Sequence, residues 1–242
     1  MVFRSEAALM ARLMRTLHRP SWGDARGVFE FDYESGRTDL VMVRYREPPL
    51  SERVEGRISA RFPSDDVMRV FMGYDKRAAR TPDDVAEATF SPSSCVRRAT
   101  RWLREKRYIA PAGSRGFRIS AGYRTHVTSV TAIEAKLSDW SRVIEQARRA
   151  ASFAHYAYVA VDADRVSVTE ARLALLRKLN IGLILVHEAT DPEVVGRPSR
   201  VEPFSELLSM RINEEHFHRW RGVQRYVRST PTLARGRSGR VP

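Results

Sequence analysis

The chain has 242 residues, of which 43% are hydrophobic and 29% are charged, a composition that predicts a packed core and excludes a disordered polypeptide. Its 42 basic residues outnumber its 29 acidic ones and give a net charge of +13, which favours a polyanionic partner over a small neutral ligand. Its single cysteine, Cys95, excludes an internal disulfide, and no apolar run approaches the ~20 residues that span a bilayer, so a soluble cytoplasmic protein is expected.

The N-terminal segment predicts a helix followed by two paired strands. Residues 5–17 place leucines at helical spacing after Ser5, a suitable N-cap. Residues 27–45 alternate in polarity on either side of a short turn, which is typical of a β-hairpin. Asp39 lies near the start of the second predicted strand.

A domain junction is expected at Pro48 and Pro49, since neither residue can continue a central strand. Beyond it, residues 64–120 predict three helices and a short hairpin that turns at the sequence GSRG. Thr81 and Ser91 are the predicted N-caps of the second and third helices, because each precedes a proline that suits the first helical position.

This order of elements resembles a winged helix-turn-helix, in which the second helix of the pair lies in the major groove of DNA and the hairpin, or wing, contacts the backbone. In the third helix Val96, Ala99 and Leu103 can face the core. The residues that would then contact DNA are Ser93, Ser94, Arg97, Arg98, Arg101, Arg104, Arg115 and Arg118. A solvated charged face is the alternative. The polar residues in the first turns of the helix and the arginines on the wing favour nucleic acid.

From residue 127 onward, strands alternate with helices. The predicted segments are a strand at 127–137, a helix at 139–154, a strand at 156–161, a helix at 169–179 and a strand at 182–188. Such alternation indicates a sheet with parallel pairs covered by helices. Residues 213–226 are predicted to form a terminal helix, and residues 230–242 a disordered basic tail.

Glu134 and Lys136 give the strand at 127–137 an unusual polar end. Side chains two positions apart project from the same face of a strand, about 7 Å apart, so these two stand side by side while Ile133 and Ala135 point the other way. Only four of the 42 basic residues are lysines, and a lysine in a chain that otherwise uses arginine suggests a need for a compact ammonium group. The commonest alternative is a plain ion pair between the two side chains.

Together these segments resemble the PD-(D/E)xK nuclease superfamily, which has the restriction-endonuclease-like fold. The matching elements are the first helix, the hairpin with "GRTDLVMV", the strand "TAIEAKL", the following helix and the strand "YAYVAV". The resemblance implies that Asp39 and Glu134 are ligands of Mg²⁺, for which Mn²⁺ can substitute, with the carbonyl of Ala135 as a further ligand. Lys136 would then be the catalytic amine.

The same resemblance suggests roles for Glu6 and Gln146. A glutamate on the first helix binds a second metal or its water in some members of the superfamily, and a glutamine follows the lysine strand in others. Ala150 departs from the Gln-x-x-x-Tyr pattern of the RecB-like branch, and Thr38 stands where many members have proline before the aspartate.

The sequence thus predicts an α/β protein with a restriction-endonuclease-like mixed central sheet flanked by helices and interrupted by a winged helix-turn-helix insert. The predicted divisions are the first part of the nuclease core at 1–49, the insert at 50–124, the second part of the core at 125–228 and the tail at 229–242. The predicted function is metal-dependent cleavage of DNA. A DNA-binding regulator or accessory protein with a non-catalytic core is the alternative.

Two further expectations concern histidines and assembly. His216 and His218 are close in sequence but have no supporting ligands, so a surface or core role is favoured over metal binding. Cleavage of both DNA strands would suit a homodimer, although no segment of the sequence predicts an interface.

Overall fold

The computed structural model of the protein describes residues 3–16, 27–33 and 36–229. Leu17 of the first predicted helix and the tail after residue 229 lie outside the described residues. The helices are α1 Glu6–Thr16, α2 Glu47–Glu55, α3 Asp65–Met72, α4 Pro82–Ala88, α5 Ser93–Glu105, α6 Trp140–Ala150, α7 Glu170–Lys178 and α8 Glu206–Ser229. The strands are β1 Gly27–Tyr33, β2 Gly36–Tyr45, β3 Ile109–Ala112, β4 Gly116–Ile119, β5 Val127–Lys136, β6 Tyr156–Asp162, β7 Ile181–Val186 and β8 Glu193–Gly196.

A six-stranded mixed sheet runs in the order β1-β2-β5-β6-β7-β8. Strands β5, β6 and β7 are parallel, and the other neighbouring pairs are antiparallel. The predicted α/β class and the predicted parallel pairs are confirmed at this level. The hairpin β1–β2 lies beside β5, although the two segments are far apart in the chain.

Helices cover both faces of this sheet. On one face α1 buries Leu9 and Leu13 against Leu40 and Ile133. On the other face α6 and α8 pack over the side chains that point the opposite way, including Val130, in a cluster rich in aromatic rings. The expected division of β5 into two faces is therefore confirmed, but both faces are buried at the polar end of the strand.

The segment between β2 and β5 has a hydrophobic cluster of its own, made of side chains from residues 58–123 and Met210 of α8. Helices α3, α4 and α5 surround it, and β3 and β4 form a separate two-stranded sheet. Thr81 closes a capping box with Asp84, as expected for an N-cap. Ser91 does not cap α5, because that helix begins one residue later than predicted and Pro92 occupies its N-cap position without a side-chain hydrogen bond.

Three elements differ from the prediction. Pro48 and Pro49 lie in the first turn of α2, because a missing N–H is tolerated there although it is not tolerated in a central strand. Helix α8 begins at Glu206, seven residues before the predicted start, and β8 was not predicted. No helix among the described ranges is long and apolar enough to cross a membrane.

A buried ion pair joins α2 to α8. The Arg53 guanidinium is fully buried and donates from Nη1 to Oε1 of Glu214 over 2.7 Å. Tyr123 donates its hydroxyl to the same carboxylate oxygen over 2.9 Å, and Nη2 of Arg53 lies 3.0 Å from the hydroxyl of Tyr108. The ring of Phe217 lies 3.8 Å from the guanidinium carbon. This cluster fixes the segment between β2 and β5 against the last helix of the sheet.

Candidate active site

The pairing of β2 with β5 brings Asp39 to the polar end of β5. Leu40 is opposite Ile133, so the next step of this antiparallel register places Asp39 opposite Glu134. The backbone N–H of Ala135 donates to Oδ2 of Asp39 over 2.9 Å. The structure thus brings together the aspartate and the Glu-x-Lys strand that the sequence separates by more than ninety residues.

Lys136 is held inside this cluster. Its side chain is only about one-tenth exposed, and its Nζ lies 3.9 Å from Oδ2 of Asp39. The ammonium donates to Oε2 of Glu6 over 2.9 Å and to the carbonyl oxygen of Ala135 over 3.0 Å. Helix α1 therefore contributes Glu6 to the site. The simple ion pair between Lys136 and Glu134 is not formed, because Lys136 pairs with Glu6 and Asp39 instead.

Glu134 is the charged group of the cluster whose environment is least favourable for its ionised form. Its side chain is 0% exposed, and neither carboxylate oxygen has a well-formed hydrogen bond among the described residues. Burial raises the pKa of Glu134 to about 7, and the neighbouring Asp39 carboxylate adds to the rise. The hydroxyl of Thr38 and the charge of Lys136 lower this pKa, but their effect is smaller than the rise caused by burial and by Asp39. A buried carboxylate that is only partly compensated lowers stability, so a cation would be favourable at this position.

Gln146 lies on α6, four residues before Ala150. Ala150, one turn later on the same side of α6, packs in the cluster that contains Val130 and Ala132. Helix α6 follows β5 and runs antiparallel to it. A residue one turn before Ala150 on this helix, such as Gln146, is therefore closer to Glu134 than Ala150 is. The side-chain Oε1 of Gln146 is buried and has no partner among the described residues.

Two carboxylates and one backbone carbonyl are the available ligands for a divalent ion. The described ranges contain no group of three or more His, Cys, Asp or Glu side chains placed to hold a metal. Mg²⁺ is usually bound through one or two carboxylates and completed by waters and phosphate oxygens, so Asp39 and Glu134 suffice in number. The unpartnered oxygens of Glu134 beside a second carboxylate fit this requirement, since a dication would neutralise both. The carbonyl of Ala135 accepts the Lys136 hydrogen bond in this structure.

A groove of about 560 Å³ leads from the cluster along α1, β1 and β2. Glu6 and Asp39 line one part of it, and Met10, Met14 and Phe29 line another. Arg219 of α8 also lines the groove, with its guanidinium carbon 5.1 Å from the centre of the Phe29 ring. Sequence reasoning did not single out Arg219, because only the packing of α8 against β1 brings it there.

The residues predicted to contact DNA are all exposed on α5 and the β3–β4 hairpin. They are Ser93, Ser94, Arg97, Arg98, Arg101, Arg104, Arg115 and Arg118. Among the described residues none of these six arginines forms an ion pair. The first turn of α5 contains no acidic residue and has no side-chain cap, so the positive end of the helix dipole is uncompensated.

Two basic residues near the hairpin were missed by the sequence reasoning. Lys76 and Arg77 are exposed in the segment that precedes α4. Arg80, in the same segment, forms a β-bridge with Phe117 and so places this segment beside β4. Their position depends on this bridge, and the local sequence carries no signal for it.

His216 of α8 pairs with a second histidine, His126. His216 is buried, and its Nδ1 lies 2.9 Å from Nε2 of His126 in a hydrogen bond. Burial lowers the pKa of His126 to about 2 and the pKa of His216 to about 4, so both rings are neutral at pH 7. The predicted core role is confirmed for His216.

Comparisons with known proteins add little to this geometry. No family model matches the chain, and no curated protein matches it. One solved structure that matches is a protein of unknown function from Silicibacter pomeroyi, with 19% sequence identity over 54% of this chain and 88% of that chain. The TM-score is 0.27.

Proposed function

We propose that the protein is a metal-dependent DNA endonuclease with a restriction-endonuclease-like core and an inserted winged helix-turn-helix. The observation that carries the proposal is the convergence of Asp39, Glu134 and Lys136 on one end of β5, where the Glu134 carboxylate is buried and makes no well-formed hydrogen bond among the described residues. A carboxyl group whose pKa is shifted by burial and by a neighbouring charge, beside a lysine, is characteristic of catalytic sites.

In this proposal Asp39 and Glu134 hold Mg²⁺, or Mn²⁺ in its place, with the Ala135 carbonyl as a further ligand. When bound, the ion supplies charge neutralisation at the scissile phosphate and a water molecule of lowered pKa. Lys136 contributes a fixed positive charge beside the phosphate, and Glu6 holds its ammonium in position through the 2.9 Å hydrogen bond. Gln146 has a free side-chain oxygen that can orient a water molecule from the α6 side.

The winged helix would position the duplex. No described carboxylate pairs with the exposed arginines of α5, so their guanidinium groups are available to phosphates and guanine edges. They are Arg97, Arg98, Arg101 and Arg104. The uncapped N-terminus of α5 favours a phosphate at its first N–H groups. These features support DNA as the partner, and they do so independently of the catalytic cluster.

The alternative is a DNA-binding accessory protein with a non-catalytic core. One observation favours it: the carbonyl oxygen of Ala135, a proposed metal ligand, accepts a hydrogen bond from Lys136. This alternative predicts DNA binding that needs no metal and no cleavage when metal is present.

The test is cleavage of supercoiled plasmid in Mg²⁺ by the wild type, Lys136→Ala and Lys178→Ala. Lys178 is an exposed lysine at the end of α7 and serves as the matched control. The wild type and Lys178→Ala should cut equally, and Lys136→Ala should cut roughly 100-fold more slowly or worse while binding DNA normally. Equal cutting by Lys136→Ala would refute the catalytic assignment. Binding without cutting by all three proteins would favour the accessory role.

A further inference from the structure

Phe90 occupies the turn between α4 and α5 and is 96% exposed. Its φ of 51° lies in the left-handed region, which a bulky side chain rarely adopts. The hydrogen bond from Ser91 N–H to the carbonyl of Ala86, over 3.0 Å, closes the end of α4 around this residue. The position is that of the residue that follows a helix in a Schellman motif, where glycine is usual.

Within the described part of the chain, no core contact compensates for the backbone strain at Phe90. The ring of Phe90 packs against no core cluster, and an apolar side chain in water contributes no burial. Glycine would adopt the same backbone conformation without strain. A feature that costs stability and has no internal contact points to a role outside the fold.

The surroundings of Phe90 indicate what the ring meets. The next helix, α5, begins three residues later with Ser93 and Ser94. Its exposed Arg97 and Arg98 form no ion pair with any described residue. An aromatic ring beside unpaired arginines and an uncapped helix N-terminus complements a nucleic acid, since it offers stacking next to phosphate contacts. An acidic protein surface would match the arginines but not the exposed ring.

We propose that Phe90 stacks on an unpaired base, so that the protein prefers DNA containing a bulged or otherwise unstacked nucleotide over an intact duplex. This inference rests on the DNA-binding part of the proposed function and not on the catalytic cluster. In an intact duplex both faces of each base are already stacked, and the ring could enter only by separating a base step. At a bulge the unpaired base is already unstacked, so no base step has to be separated and the ring gains a stacking partner.

The experiment compares two fluorescent duplexes of the same sequence, one of which carries a single unpaired adenine. The dissociation constant of each duplex is measured by fluorescence anisotropy, in buffer that contains Ca²⁺ in place of Mg²⁺ so that binding is separated from cleavage. The proteins are the wild type, Phe90→Gly, Phe90→Trp and Phe204→Ser. Phe204 is the matched control, because it is also highly exposed but lies just before α8. Replacing the adenine with 2-aminopurine gives a second readout, the quenching of its fluorescence by the stacked ring.

The wild type, Phe90→Trp and Phe204→Ser should bind the bulged duplex roughly tenfold more tightly than the intact one. Phe90→Gly should bind both duplexes equally, while its melting temperature equals or exceeds that of the wild type. A loss of DNA preference together with a gain in stability is what a partner-facing ring predicts and a structural ring does not.

Three outcomes would overturn the inference. One is an unchanged preference in Phe90→Gly, and another is a lower melting temperature of that variant, which would make the ring structural. The third is equal binding of both duplexes by the wild type. That result would refute the preference for an unstacked base but would not contradict the DNA-binding part of the proposed function. Failure of the wild type to bind any DNA would instead remove the DNA-binding part of the proposed function, and the inference with it.

Discussion

At the scale of single residues, the candidate site is an arrangement of charges that the fold by itself does not favour. Asp39 accepts the Ala135 N–H, and Lys136 is held by Glu6, but the carboxylate of Glu134 is buried and makes no well-formed hydrogen bond among the described residues. A buried carboxylate beside another carboxylate lowers stability in the absence of a cation. The site therefore has the properties of a preorganised cation site.

The substitution Glu134→Gln tests this view through stability. In metal-free buffer at pH 8 it should raise the free energy of unfolding by roughly 1 to 3 kcal/mol, because it removes a buried charge and its repulsion with Asp39. The same variant should lose Mn²⁺ binding in calorimetry. Urea unfolding with and without Mn²⁺ measures both effects.

The control for this substitution is Glu145→Gln on the exposed side of α6. It should change neither the free energy of unfolding nor the Mn²⁺ titration, since a solvated carboxylate has little effect on either. If Glu134→Gln were destabilising without metal, Glu134 would have a structural partner and the interpretation of the site would be wrong.

At the scale of elements, β5 organises the molecule, because it pairs with β2 on one side and β6 on the other and carries the site at its end. At its other end it meets α8. There the N–H of His126 donates to Oδ1 of Asn213 over 2.9 Å, and the His126 ring bonds to that of His216. Tyr45 of β2 covers the pair, with its ring centre 4.4 Å from that of His216.

This contact predicts a pH dependence of stability. The pKa of His126 is lowered by burial, by His216 and by Arg53, and burial alone lowers that of His216. Below pH 6.5 the unfolded chain takes up protons that the folded protein excludes, so stability falls as the pH decreases from about 6.5 to about 4. Each histidine contributes up to ~1.4 kcal/mol per pH unit in this window.

The measurement compares urea unfolding of the wild type and His216→Gln at pH 8, 7, 6 and 5. Glu134 acts in the opposite direction, because its raised pKa makes the folded protein bind a proton between about pH 4.5 and 7. The difference between the two proteins isolates the histidine contribution. The wild type should lose more stability than His216→Gln between pH 7 and pH 5, and parallel curves would contradict the prediction.

At the scale of the whole molecule, two hydrophobic regions are joined by a polar cluster. The core of residues 58–123 and the cores of the sheet meet at α2 and α8, where Arg53 and Glu214 form their buried pair. A pair of this kind contributes little compared with apolar packing, but the loss of one partner leaves a buried charge. Its role is to fix how the α3–α5 segment sits on the sheet.

The substitution Arg53→Met should therefore lower the free energy of unfolding by about 3 to 5 kcal/mol, and the double variant Arg53→Met/Glu214→Leu should recover much of that loss. Urea unfolding of the wild type, Arg53→Met, Glu214→Leu and the double variant gives the coupling energy. The exposed pair of Arg61 and Glu215, 3.2 Å apart, is the matched control, and Arg61→Ala should cost less than ~1 kcal/mol. A double variant no more stable than Arg53→Met would show that the two side chains act separately.

Much of the fold could be predicted from the sequence because it depends on local patterns. The Thr81 capping box, the hairpin β3–β4 and the order of strands and helices after residue 127 follow from periodicity and from turn and cap residues. Helix α2 was missed because two prolines are equally compatible with a loop and with a first helical turn. The early start of α8 was missed because tertiary packing, not propensity, stabilises its first turns.

The sequence by itself determined which chemical groups are present in the candidate site and on which face of β5 they lie, since strand alternation depends only on local geometry. Tertiary structure alone decided that Asp39 lies opposite Glu134, that Lys136 bonds to Glu6, and that Arg219 lines the groove. Such contacts join residues far apart in the chain. They depend on how the helices pack against the sheet to bury apolar surface, and a local sequence pattern does not specify that packing.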